Sequence, residues 1–257
     1  MMAFTIAGRE LRSLFLSPLA WSILAVVQLI LAYMFLTQLD LFVALQSRLL
    51  GMAGAPGATE IIVAPLLGNA AVVLLLVVPM LTMRLVSEER RAQTLSLLFS
   101  APLSMSEIVL GKFLGVMAFL LIMVLMIVLM PLSLLFGGSI DLGMLLAGVL
   151  GLVLLLASFA ALGLFMSTLT EQPTIAAVSS FGVLLLLWII DWAGGNASGS
   201  GSAAQASELF AYLSLLRHFE SLLKGVFDSG DVIYYLLFVA LFLGLSIRRL
   251  DADRLQH

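Results

Sequence analysis

Apolar positions along this chain fall into six long, nearly uninterrupted blocks: Leu19–Thr37, Ile61–Met83, Ile108–Met130, Met144–Met166, Thr174–Ile190 and Val232–Ile247. A helix needs about 20 apolar residues to cross the hydrocarbon layer of a membrane. The first four blocks meet that length and the last two are shorter. None alternates with the period of a barrel strand, and lipid offers the backbone no hydrogen-bond partner outside a helix. The pattern predicts an all-α integral membrane protein with six transmembrane helices, forming one transmembrane domain over residues 1–257.

The polar stretches between blocks are themselves patterned. Phe4–Phe15 places Arg9, Glu10 and Arg12 on one side of a predicted amphipathic helix. The first block exceeds a signal-peptide core and is expected to be retained as a span. Gln38–Glu60 and Leu132–Gly143 read as connections on one side of the membrane, and Ser167–Pro173 as a short turn on the other. Gly194–Ser207 is rich in glycine and serine, the composition of a flexible connection. Beyond it, Leu209, Leu213, Leu216, Phe219, Leu223 and Val226 recur at helical spacing, which predicts an amphipathic helix lying at the membrane interface.

Composition narrows the class. Hydrophobic residues make up 62% and charged residues 11%, and the mean hydropathy is +1.19. Soluble domains hold about 45–50% apolar and about 25% charged residues, so a water-soluble enzyme is excluded. The net charge of −3 carries no basic excess for nucleic acid. Cysteine is absent, which removes disulfides, thiolate metal sites and cysteine nucleophiles.

Charge also orients the chain. Six spans place Arg9, Arg12, Arg84, Arg90, Arg91, Lys112, Arg248, Arg249 and Arg254 on one side, and only Arg48, Arg217 and Lys224 on the other. Basic residues concentrate in cytoplasmic segments, so both termini are expected in the cytoplasm.

Much of the functional reading rests on missing chemistry. Lys112 is the only Asp, Glu, Lys, Arg or His within the six blocks. Proton-coupled transporters place such groups at mid-membrane, which disfavours that class. Both histidines, His218 and His257, lie outside the blocks, leaving no buried serine–histidine dyad or zinc pair. No phosphate-binding loop is present, because Gly111–Lys112 is followed by Phe113 and preceded by Ser106 where a glycine is required. Nucleotide hydrolysis would have to come from another polypeptide.

The densest charge follows the second block, in "SEERRAQTLSLLFSAPLS" (Ser87–Ser104). Ser87 is the expected N-cap, with Glu88 and Glu89 in a first turn that favours acids. Leu95, Leu98 and Phe99 form an apolar stripe, and Pro102 stops the helix. Ser104 and Glu107 have capping-box spacing for the third span. The pattern alone fits an ordinary amphipathic loop and a docking helix equally.

Ser87–Ser104 resembles the first cytoplasmic loop of ABC-2 type permeases, the membrane subunits of ATP-binding-cassette exporters. Thr94 and Leu95 match that family's pattern, and Gln93 stands where glycine is usual. "HFESLLKGVFDSGDVIYY" (His218–Tyr235) and "FMSTLTEQ" (Phe165–Gln172) are similar to segments of the gliding-motility and nitrous-oxide-reductase-maturation branch. The resemblance implies an N-terminal elbow helix bearing Arg9, Glu10 and Arg12, and a cytoplasmic coupling helix from Glu88 to Leu98. Glu88, Glu89, Arg90, Arg91, Thr94, Leu95 and Leu98 would serve that helix, and Glu171 would make a second contact with the ATPase. An external helix bearing Phe219, Glu220, Gly225 and Asp228 would shape an outer gate. The implied function is a permease subunit in the inner membrane that binds no cofactor itself. Two ABC ATPase subunits would hold ATP and magnesium. A second permease copy or related permease would complete the pathway, with any large periplasmic domain on another subunit. The alternatives are a non-transporting scaffold of an envelope or motility complex, and an ion-coupled secondary transporter.

Other residues take plainer readings. Gly111 and Gly115 have close-packing spacing and are expected to pack within the chain. Pro79 is expected to interrupt the second span, as a hinge or as a structural kink. Asp141, Asp191, Asp228 and Asp231 are expected to be solvated helix-end residues. Trp21, Trp188, Trp192, Tyr234 and Tyr235 are expected in an interfacial aromatic belt. The thirteen methionines are expected to be packing residues rather than copper ligands.

Overall fold

A computed structural model describes residues 2–49, 57–93, 104–136, 140–195 and 214–255. We number its helices α1 (Met2–Leu16), α2 (Pro18–Leu49), α3 (Ala64–Thr82), α4 (Ser87–Arg91), α5 (Met105–Leu132), α6 (Leu142–Leu169), α7 (Pro173–Gly195), α8 (Leu215–Leu223) and α9 (Ser229–Leu255). A π-helical turn, Thr59–Val63, leads into α3, and a 3-10 turn, Ser133–Phe136, follows α5. No strand occurs among the described residues.

Among the described residues, six stretches are long and apolar enough to cross a membrane: Pro18–Gln46, Thr59–Arg91, Met105–Leu135, Leu142–Leu169, Pro173–Ile190 and Ser229–Arg254.

 Each contains one predicted block and runs past it, because the helix continues through polar residues outside the hydrocarbon. The windows of α3, α5 and α6 bury half or more of their residues, and those of α2, α7 and α9 less than a third. The core therefore lies among α3, α5 and α6, while the outer helices keep apolar faces for lipid or another subunit.

Close backbone approach sets this packing. A Cβ on Gly163 of α6 would lie 2.1 Å from Thr82 Oγ1 of α3, whose hydroxyl donates to Val78 O at 3.0 Å. Helix α1 lies along α5 at Gly111 and Gly115, where an added Cβ would meet Ile6 Cβ and Glu10 Cβ, each at 2.7 Å. The expected close packing within the chain is thus observed, with α1 as the partner. Pro79 is buried in α3, three residues before the helix ends at Thr82.

Two local expectations hold and three need correction. Ser104 caps α5 in a capping box, accepting from Glu107 N at 3.2 Å. Asp141 caps α6, accepting from Gly143 N at 2.8 Å. Asp231, however, is buried rather than solvated, because it pairs with His218. Tyr235 is likewise fully buried and donates to Leu215 O at 2.7 Å, so it does not belong to an interfacial belt. The apolar face of α8 is turned from the expected stripe. Leu215, Phe219 and Leu222 are buried, while Leu216 and Leu223 are partly exposed and Val226 is exposed. Packing against α6 chose that face, and Leu209 and Leu213 lie outside the described residues.

Candidate functional site

Lys112 is the single cation expected within a span, and the protein interior strongly disfavours an unpaired charge. Its side chain is 2% exposed, and Nζ donates to Glu10 Oε1 of α1 at 2.8 Å and to Glu89 Oε1 of α4 at 2.7 Å. Arg9 Nη2 lies 3.8 Å from the same Glu89 oxygen. One buried ammonium thus joins α1, α4 and α5. A cavity of about 430 Å³ opens beside it, lined by Arg9, Glu10, Met80, Arg84 and Glu88 among others.

The start of α4 is held by a distant hydroxyl. Ser167 Oγ, on α6, accepts from Val86 N and Ser87 N, each at 3.1 Å, and donates to Met83 O at 3.0 Å. Ser87 is therefore not the N-cap. Val86 occupies that position, and the Ser87 hydroxyl is buried and donates back to Met83 O. An unbroken helix from Glu88 to Leu98 is also not found. Helix α4 ends at Arg91, and Gln93 has φ of 55°, a left-handed conformation that glycine adopts more readily. Thr94, Leu95, Leu98 and Phe99 lie outside the described residues.

The remaining charges of α4 separate by direction. Arg90 forms an ion pair with Asp253 of α9, which Arg249 also approaches at 3.6 Å. Glu88 and Arg91 are exposed and line a cleft of about 870 Å³ whose far wall holds Glu171 and Gln172. Three residues singled out in the sequence therefore border one cleft, while Glu89 and Arg90 make contacts within the chain.

The sequence profile of ABC-2 family transporter proteins matches residues 4–255. The chain belongs to the ABC-2 transporter family. No individually curated protein matches it. As an ABC-2 family member with six long apolar helices, it is a multi-pass membrane protein and a transporter membrane subunit, in a family that works with separate ABC ATPase subunits.

In this ABC-2 chain, Arg9 and Arg12 on α1 face outward, whereas Glu10 turns inward to Lys112. At the other end of the bundle, Phe219 is buried against Gly151, and Glu220 and Asp228 are exposed. Gly225, at φ of 77°, ends α8. Its N–H donates to Leu222 O at 3.1 Å and Val226 N to Ser221 O at 3.2 Å, the bonding of a Schellman cap. His218 Nδ1 lies 2.6 Å from Asp231 Oδ1, and its ring stacks on Tyr234 with centroids 4.1 Å apart. Sequence reasoning missed this pair and the partners of Lys112. A lone lysine in an apolar block was the available signal that a counter-ion must exist, but not which one.

Proposed function

We propose that this chain is the permease subunit of an ATP-binding-cassette exporter and that the junction around Lys112 carries ATPase motion into the bundle. The observation that carries the reading is the pair of carboxylates on Lys112, one from α1 and one from α4. A displacement of α4 would move α1 and α5 with it, because separating either carboxylate from a buried ammonium is costly. Glu88, Arg91 and Glu171 border an open cleft suited to a partner's polar surface. Thr94, Leu95 and Leu98 would extend that surface.

The basic residues concentrated at this end support a reading in which it, and both termini, lie in the cytoplasm of an inner-membrane protein. Two ATPase subunits would supply ATP and magnesium, and a second copy or a related permease would complete the pathway. Phe219, Glu220, Gly225 and Asp228 would shape the outer gate.

Arg91→Glu tests the reading, because Arg91 is exposed and, unlike Arg90, has no ion pair within the described residues. The variant should insert normally and lose most of its binding to the ATPase. Unchanged ATPase binding and unchanged transport by the reconstituted complex would overturn the assignment.

A further inference from the structure

At the end of the bundle opposite Lys112, the starts of α3 and α6 and the end of α8 enclose a groove of about 460 Å³. Four polar residues line it: Glu60, Asn69, Glu220 and Lys224. Among the described residues, none of these four side chains forms an ion pair or hydrogen bond, although the groove's frame is fixed. Asp141 N donates to Thr59 Oγ1 at 3.0 Å across the mouth, and the Gly225 turn packs on Met144. Convergent polar groups over an apolar floor are the usual composition of a small-molecule site.

The floor continues along α3. Val72, Leu76 and Met80 are 53%, 54% and 39% exposed and recur four residues apart, so they form one stripe down the helix. The stripe spans about 12 Å at 1.5 Å per residue. Charge at the membrane boundary with an apolar track below it matches an amphipathic molecule lying parallel to α3.

The geometry points to a binding site for one phospholipid with a primary-ammonium headgroup. Glu60 and Glu220 would accept N–H bonds from the ammonium, Lys224 would meet the phosphate, and an acyl chain would follow Val72 and Leu76. Among the described residues no aromatic side chain lines the groove, so these residues offer no ring face of the kind that recognises quaternary ammonium groups. A purely anionic headgroup would face two carboxylates. This site does not depend on the export reading, because it requires neither an ATPase nor transport.

The test uses the full chain in nanodiscs containing equal parts of phosphatidylethanolamine, phosphatidylcholine and phosphatidylglycerol. After detergent extraction, native mass spectrometry counts the lipids retained. Phosphatidylethanolamine should be retained preferentially, and Glu60→Gln and Glu220→Gln should each lower its retention about tenfold, the loss of one charge-assisted bond apiece. Gly68→Leu should also displace it without changing charge. A Cβ there meets only Leu223 Cδ1, at 3.9 Å, and thermal unfolding checks that this variant folds. Equal retention of the choline lipid, preference for the anionic lipid, or undiminished retention in folded variants would overturn the site. Efficient cross-linking of Val72→Cys between two copies would also overturn it, by showing that a second copy covers the groove.

Discussion

Lys112 Nζ and Glu10 Oε1 lie 2.8 Å apart although 102 positions separate them in the chain. The bond ties the amphipathic N-terminal helix to the third span at a depth where Lys112 is fully enclosed. Glu89 completes the pairing from the segment after the second span. The cluster is a point where two peripheral helices and one core helix share a charge.

Lys112→Met should destabilise the protein by about 3–5 kcal/mol, because it leaves two carboxylates facing each other without a cation. Adding Glu10→Gln and Glu89→Gln should recover most of that loss. Thermal unfolding in detergent measures both, and equal stability of the single and triple variants would contradict a coupled cluster.

Gly111→Val should displace α1, since even a Cβ would lie 2.7 Å from Ile6 Cβ and 2.9 Å from Ala3 O. The expected cost is about 1–3 kcal/mol, as for other overpacked interfaces. Gly182→Ala is the control, because nothing lies within 4 Å of its added Cβ. Limited proteolysis of α1 should accelerate in the first variant and not in the second.

Gln93→Gly should stabilise the end of α4 by about 1 kcal/mol, the usual cost of holding a non-glycine residue in the left-handed region. Unfolding temperature reports this directly. Glycine, the residue usual at this position in the loops that Ser87–Ser104 resembles, would suit the φ of 55° better than Gln93 does.

Ser167→Ala should leave Val86 N and Ser87 N without their shared acceptor, at about 1–3 kcal/mol per buried donor. Hydrogen exchange should speed up at those two amides, and protection of α5 should be unaffected.

The six spans and the cap at Ser104 are local properties, so one dimension of sequence was enough to find them. A membrane helix is recognised by the length of its apolar run, and a capping box by residues three positions apart. Which residues meet across the bundle is a different matter. Ser87 has the composition of an N-cap, yet Ser167, 80 positions away, took over the bonding at that helix start. Asp231 resembles a solvated end residue until His218 is packed against it. Glu89 and Arg90 look as available to a partner as Glu88 and Arg91, but Lys112 and Asp253 engage them. Helical periodicity defines the faces of a helix, while burial and counter-ion choice depend on which faces are brought together, and only the tertiary packing decides that.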